Sequence, residues 1–409
     1  MTEFFNVKDL DEVLAFQSKF QTVAAERVDL RDSVGRVLAD TIVADADLPG
    51  FTRATMDGYA VCGKSTFGAS DGNPAYLVVK GSVPMGKAPE FSIKSGEAAR
   101  IPTGGMLPNG ADSVVMIEHT DTIDPQTIEV YRSVAPGQHV VIQGEDYQKN
   151  SVLLTAGTKI RPQETGLLAA FGRLSVPVFK RPVIGIISTG DEVVSVNKIP
   201  AIGQIRDINT YTLAGQVESM GGLAKQYGIV HDNYDILLKV CQDALQETDM
   251  VLISGGSSVG SRDYTIDVLS ALTDTDILTH GISISPGKPT ILAQVGSKAF
   301  WGLPGHVVSA MIVFAAVVKP FISHISGLAP GLQRLPEYAA VLSRSLASVQ
   351  GRVDYVRVRL VTDAGVTWAE PVLGKSGLIN TMVKAEGLIK IDKDLEGLDK
   401  GTEVQVTFL

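Results

Sequence analysis

The residues of this chain best suited to chemistry sit in short Gly/Pro-rich islands that follow apolar runs. Ser188-Thr189-Gly190-Asp191-Glu192 puts two carboxylates directly after an apolar run at 183–188. The stretch 254–264 contains Gly255, Gly256, Ser257, Ser258 and Asp263. Its glycines allow close backbone approach, and its hydroxyls and N–H groups lead into a helix, which are the parts of an anion cradle. Asp263 would repel a phosphate held there unless a cation lay between them, a part magnesium takes at many phosphate sites. Ser285-Pro286-Gly287-Lys288-Pro289 fixes a lysine between prolines, and Gly302-Leu303-Pro304-Gly305-His306 opens the last helix. Ligands of an open α/β sheet collect at the carboxyl ends of its strands. Four such loops at one sheet edge imply a phosphorylated anionic ligand plus a divalent cation.

Each island also has a plainer reading. Turns need glycine regardless of function. Asp191 alone is more often a helix N-cap than a metal ligand, Lys288 alone is a solvated charge, and His306 could cap or pack at the helix start. The other five histidines, at 119, 139, 231, 280 and 324, lack metal-ligand spacing and read as structural or surface residues. The case rests on convergence.

The elements that must position these loops follow from periodicity. Residues 183–188, 223–230, 249–254, 291–294 and 300–303 read as strands. They alternate with helices at 209–220, 234–246 and 307–325, the pattern of a parallel, doubly wound sheet. Residues 8–39 and 151–174 read as helical. Between them, 51–146 alternates short apolar runs (76–79, 98–101, 113–117, 127–130) with turn residues, the texture of a small β domain. Residues 338–409 show alternation at 353–360 and 403–408 and predict a closing β domain. Within 51–146, three polar, Gly-flanked islands stand out: Ala54 to Ala60 with Asp57, 101–105 with Thr103, and Gly144-Glu145-Asp146. Taken alone, they are three ordinary turns.

Composition narrows the function classes. With 409 residues, 44% hydrophobic and 20% charged, the chain can build several cores. A formal net charge of −9 argues against non-specific binding to nucleic acid. Two cysteines, Cys62 and Cys241, make neither a disulfide framework nor a Cys-rich zinc site, and fit a reduced, cytoplasmic compartment. The N-terminus reads as no signal peptide. The apolar run at 307–318 is too short for a membrane span and predicts a buried helix.

The runs MDGYA, IPTGG, GED, STGDE, GGSSVGSRDY, PGKP and GLPG, in this order and spacing, resemble those of the MoeA / gephyrin E-domain family over nearly the whole chain. Residues 181–328 also resemble the smaller MogA/MoaB proteins. The resemblance implies a multidomain α/β plus β fold in four parts. These are an elongated helical domain from 1–48 and 147–180, a β domain at 49–146, a MogA-like molybdopterin-binding domain at 181–328, and a C-terminal β-barrel at 329–409. It implies a molybdopterin molybdenumtransferase that takes adenylylated molybdopterin and molybdate and releases AMP with Mg²⁺. It also implies a homodimer whose site is shared between chains. Asp57, with Thr103 and Asp146, would come from one chain. Glu192, Asp263, Lys288, Pro304 and Ser376 would come from the other. Asp57, Asp263, Glu192 and Lys288 are the candidate catalytic residues, and Asp57, Asp191, Glu192 and Asp263 the candidate metal ligands. Ser188, Thr189, Gly190, Gly255, Gly256, Ser257, Ser258 and Ser285 join Thr103, Asp146, Pro304 and Ser376 around the pterin substrate. Implied partners are a MogA-type adenylyltransferase and recipient molybdoenzymes, with no membrane.

The chain departs from the family pattern in three places. Ser285 and Val141-Ile142-Gln143 stand where basic residues are common, and His306-Val307 where Asn-Pro is usual. The first and third remove positive charge from an anion site. Two alternatives follow: a weakened paralogue that binds the pterin or acts as a scaffold, and a MogA-like adenylyltransferase.

Overall fold

A computed structural model describes residues 7–255, 264–332 and 337–409. The chain forms two compact units. One joins the chain up to Asp40 with 156–162 and 175–409; the other joins 41–155 with 163–174.

The first unit is organised around a six-stranded sheet. Its strands are β1 (Val183–Thr189), β2 (Leu223–Val230), β3 (Met250–Ser254), β4 (Thr275–His280), β5 (Ile291–Val295) and β6 (Lys298–Leu303), in the order β2-β1-β3-β6-β5-β4. Among the described residues, four helices complete it: α1 (Asn209–Ser219), α2 (Tyr234–Glu247), α3 (Tyr264–Ala271) and α4, which runs from Val307 to Ile325 with a π-helical segment at Phe314–Val318. β1 and β3 are buried along almost their whole length, as continuous apolar runs require when helices cover both faces. Successive strand side chains point to opposite faces. Ile184, Ile186 and Leu252 therefore pack with Leu213 and Val217 of α1 and Val317 and Phe321 of α4. Ile187, Val251 and Ile253 pack on the other side with Leu237 and Cys241 of α2 and Val268 of α3. The apolar length of α4 would suffice for a membrane span, yet Phe314, Val317, Val318 and Phe321 are core residues here.

Two expectations for this sheet need correction. It is not wholly parallel: β5 runs against both β4 and β6. Only Gly296-Ser297 separates β5 from β6, and a parallel connection needs a crossover of a dozen or more residues, so the pair must be a hairpin. β4 escapes the periodicity reading because Thr275, Asp276, Thr279 and His280 dilute its apolar signal.

The helical reading of 8–39 holds only for Leu10–Ala15 and the 3₁₀ turns Phe16–Lys19 and Leu30–Asp32. Ala25–Asp29 is a strand, half-buried at alternate positions, and pairs antiparallel with Ser175–Phe179. Within 151–174 the helix is Pro162–Ala170, while Val152–Leu154 is a strand.

After α4 the chain closes a five-stranded barrel from β7 (Glu337–Leu342), β8 (Val353–Asp363), β9 (Val366–Pro371), β10 (Gly387–Ile391) and β11 (Glu403–Phe408). The order β8-β9-β7-β11-β10 returns to β8, so no edge is left open within the ring. Its core is Leu342, Val358, Ala369, Ile389 and Val406. A two-residue strand, Ile284–Ser285, pairs with Val353 and Asp354 of β8. That pairing fixes the start of the Ser285–Pro289 loop against the barrel.

The second unit carries its own six-stranded sheet, ordered Ser113–Met116, Gly58–Val61, Glu97–Ile101, Ala75–Ser82, Thr127–Val130, Thr120–Asp124. Ala60, Ala99 and Ile101 pack on one face, and Val61, Leu77, Val115 and Ile128 on the other. Cys241 is fully buried and burial pushes its thiol up to about 12, so it behaves as a small hydrophobe; Cys62 is half-buried.

Candidate active site

A cavity of about 670 Å³ opens at the carboxyl ends of β1, β3 and β6. Ser188, Thr189, Glu192, Gly255, Ser285, Lys288, Pro304 and Ser376, all picked out from the sequence, line it. Gly190 and Asp191 do not belong to the lining. Gly256, Ser257, Ser258 and Asp263 lie outside the described residues.

Local geometry explains why these residue types stand here. Gly255 has φ +101°, and a β-carbon on it would lie 2.2 Å from the carbonyl oxygen of Thr189. Only glycine lets β3 turn away across the end of β1. Gly287 has φ +122°, and a β-carbon there would collide with Val313 of α4 at 2.3 Å. The loop carrying Lys288 therefore presses its backbone directly onto the helix. Lys288 accepts backbone hydrogen bonds at its carbonyl from Ile282 and Thr290, each at 2.9 Å, while the side chain stays exposed.

The cavity floor holds polar atoms that the periodicity reading missed. Asn209, at the start of α1, donates from Nδ2 to the Gly305 carbonyl at 2.9 Å. Its Oδ1 is buried without a partner among the described residues, as is Ser254 Oγ. Buried polar atoms without partners are uncommon and call for a ligand or water. Asp207 caps α1 by accepting from the backbone N of Thr210 at 3.1 Å. Arg352, on the barrel side, lines the cavity and is ion-paired with Asp354 at 2.9 Å. The available signal for these residues is position, since 205–209 precedes a helix at the same sheet edge.

His306 takes the N-cap position of α4, but its side chain makes no capping hydrogen bond. Its Nδ1 instead lies 2.8 Å from Ser376 Oγ, and the Ser376 carbonyl accepts from the backbone N of Val308 at 3.0 Å. The segment after β9 is thus tied to the start of α4 at the cavity wall.

Asp191 caps no helix. Its Oδ1 accepts from the backbone N of Asp232 at 3.1 Å and faces His231 Nδ1 at 3.7 Å. Thr189 Oγ1 donates to Asp232 Oδ1 at 3.3 Å. The Asp232 carboxyl is held above the ordinary carboxylate range, first by burial and then by the negative charge of Asp191 and Glu192. Asp191, Glu192 and Asp232 gather carboxylate oxygens at this corner, the hard donors that a divalent cation takes. Among the described residues, no three His, Cys, Asp or Glu side chains gather closely enough to hold a metal on their own.

The second unit holds the other group. Asp57 Oδ1 accepts from the backbone N of Thr103 at 2.6 Å, and hydrogen bonding by Thr103 keeps the exposed Asp57 carboxyl below its usual range. Gly58 follows because a β-carbon there would lie 1.9 Å from the Val115 carbonyl. Asp146 sits on a separate turn, its backbone N bonded to the Leu48 carbonyl at 3.1 Å, and takes no part in the Asp57–Thr103 pairing.

A doubly wound domain with a ligand cavity at its strand ends, a closed barrel after it and a β unit before it define a class, and comparisons with known proteins agree. Residues 8–172 match the MoeA N-terminal region (domain I and II), 185–324 a probable molybdopterin binding domain, and 339–409 the MoeA C-terminal region (domain IV). The chain is 33% identical over 404 residues to the molybdopterin molybdenumtransferase of Bacillus subtilis, covering 97% of this chain and 92% of that one. It is 34% identical over 330 residues to that of Nostoc sp., covering 80% and 75%. A crystal structure of a molybdopterin biosynthesis MoeA protein from Pyrococcus horikoshii OT3 superposes with a TM-score of 0.85 at 31% identity, covering 99% of this chain and 100% of that one. The chain belongs to the MoeA family, the molybdopterin molybdenumtransferases of molybdenum cofactor biosynthesis.

Proposed function

We propose that this chain inserts molybdate into adenylylated molybdopterin and releases AMP, with Mg²⁺. The observation that carries the reading is the cavity of about 670 Å³ whose wall joins Lys288, the Ser188–Thr189 strand end and Gly255, and whose floor leaves Ser254 Oγ and Asn209 Oδ1 without a partner among the described residues. It is open, polar at the base, and large enough for a nucleotide-sized ligand.

In this reading the side chains divide the labour. Thr189, Ser188, Ser254 and the backbone at Gly255 receive phosphate oxygens. Lys288 and Arg352 offset charge on the anions, Ser285 donates a hydrogen bond, and Ser376 lines the barrel side. Glu192 and Asp191, with Asp263, would hold Mg²⁺, which supplies charge neutralisation at the phosphates. Asp57, kept ionised by Thr103, orients the attacking water, and Asp146 supports the same wall. Positioning and electrostatics of this kind supply most of the rate in phosphoryl chemistry.

The same reading includes a homodimer, with Asp57, Thr103 and Asp146 given by one chain to the cavity of its partner, and a cytoplasmic setting with a MogA-type enzyme upstream and molybdoenzymes as recipients. It also includes the four-domain division given above, which the matched domain I and II, molybdopterin-binding and domain IV regions support. The test is incubation of the purified protein with adenylylated molybdopterin, molybdate and Mg²⁺, following AMP. Molybdate-dependent AMP release is expected. ATP consumption without it would favour an adenylyltransferase.

A further inference from the structure

The His306 side chain does not do what its position at a helix start calls for. A residue at an N-cap ordinarily uses its side chain to satisfy the first helical N–H groups, and His306 does not. The imidazole instead lines the cavity and is held from one side only, by Ser376 Oγ at 2.8 Å from Nδ1. Among the described residues, Nε2 has no hydrogen-bond partner. Two further contacts make this arrangement rigid. Asn209 Nδ2 bonds the Gly305 carbonyl at 2.9 Å and fixes the turn before His306, and Val308 N bonds the Ser376 carbonyl at 3.0 Å and fixes the serine.

We propose that His306 and Ser376 form a hydrogen-bonding clamp for a tetrahedral oxyanion, with His306 Nε2–H as the donor that faces the ligand. This inference rests on the cavity being the anion site described above, and adds a ligand-contacting residue to it. The proton arrangement follows from the donor inventory. When the Ser376 hydroxyl donates to Nδ1, the ring carries its proton on Nε2 and directs it at the ligand. When the ring is protonated on both nitrogens, Nδ1–H donates to Ser376 Oγ, and both Nε2–H and the serine O–H are available to the anion. Either state presents a donor, and no bond to protein is given up to present it. The other charged side chains of the lining are Glu192, Arg206, Asp207, Lys288 and Arg352. Of these, Lys288 and Arg352 share the clamp's preference for an anion, and Glu192 opposes it. Ser376 is the positioning residue, since it sets the ring's tautomer and rotation.

The oxyanion is either molybdate or a nucleotide phosphate, and the experiment separates them by titrating molybdate alone and AMP alone into wild type, His306→Ala, His306→Asn and Ser376→Ala. Removing a hydrogen bond to a charged group reads as about tenfold or more in affinity. His306→Ala is expected to weaken one of the two anions by that factor and leave the other within about twofold, which names the one clamped. His306→Asn, which keeps a donor, should recover part of the loss and shows that a fold defect is not the cause. Ring ¹⁵N resonances of His306 should report Nε2–H in the free protein, shift on saturation with the clamped anion, and lose their fixed tautomer in Ser376→Ala. Unchanged affinity for both anions in His306→Ala, ring nitrogens that ignore both ligands, or wild type binding neither anion would each overturn the clamp. The proposed reaction fails separately: a clamp seen by titration with no AMP release from adenylylated molybdopterin would refute the transferase reading and leave the clamp standing.

Discussion

The α-carbon of Gly255 lies where β3 crosses the end of β1, so close to Thr189 that a β-carbon on Gly255 would stand 2.2 Å from the Thr189 carbonyl oxygen. The two residues form the cavity's inner corner, and the contact is backbone to backbone, so no side-chain movement relieves it. Gly255→Ala is therefore expected to cost at least about 1–3 kcal/mol from the positive φ alone, with the clash added. Urea unfolding would measure it. A midpoint equal to wild type would mean that the corner is not built as described.

Asp57 yields a prediction about pH as well as rate. Its carboxyl is held low by Thr103, so it stays ionised further into acid than an ordinary aspartate. A depressed folded-state pKa contributes stability that is present above the unfolded value and is lost as pH falls through the folded one. The side chain is exposed, so the contribution is small. Asp57→Asn keeps an oxygen to accept the Thr103 N–H and removes the charge. It should be slightly less stable than wild type near neutrality and converge with it in acid, while AMP release falls by about 10²–10³, as on removal of a principal electrostatic contributor. Wild-type turnover in this variant would remove Asp57 from the chemistry.

Ser285 marks a place where charge can be added. It begins the loop that carries Lys288, and its backbone is registered against Asp354 of the barrel. A lysine there would bring a charge-assisted hydrogen bond worth about 1.5–3 kcal/mol against roughly 1 kcal/mol for the neutral serine. Repulsion from Lys288 works against this, but it is screened at ordinary salt. Ser285→Lys should tighten molybdate by up to about tenfold at fixed ionic strength. Equal affinities would show that the charge is already supplied by other groups of the lining.

A shared site predicts complementation. Light scattering at micromolar concentration should give the mass of a dimer. Mixed dimers of Asp57→Asn with Lys288→Ala should recover one wild-type site of the two, half the activity of a wild-type dimer, because one of the two cavities then escapes both changes. A monomer, or no recovery on mixing, would place Asp57 outside the partner's cavity.

Much of this was legible in the sequence because the informative residues are local. Gly255, Gly287 and Pro304 are loop residues directly beside recognisable strands or helices, so the edge at which they gather followed from the α/β alternation. Strand direction was not legible from apolar pattern, and the reversal of β5 is encoded instead in the two-residue link Gly296-Ser297. The strand at Ala25–Asp29 was misread because its burial comes from Ser175–Phe179, about 150 residues away. The same holds within the site: the His306–Ser376 bond and the burial of the Ser254 and Asn209 oxygens depend on groups far apart in the chain. Asp191 was legible as a carboxylate at a strand end, but not that its oxygen is engaged by the Asp232 backbone.

The most direct test of the central claim is the stoichiometry of one reaction. Wild-type protein with adenylylated molybdopterin and Mg²⁺ should release AMP only when molybdate is added, one AMP per molybdenum incorporated. AMP release that ignores molybdate, or none at all with correctly folded protein, would contradict it.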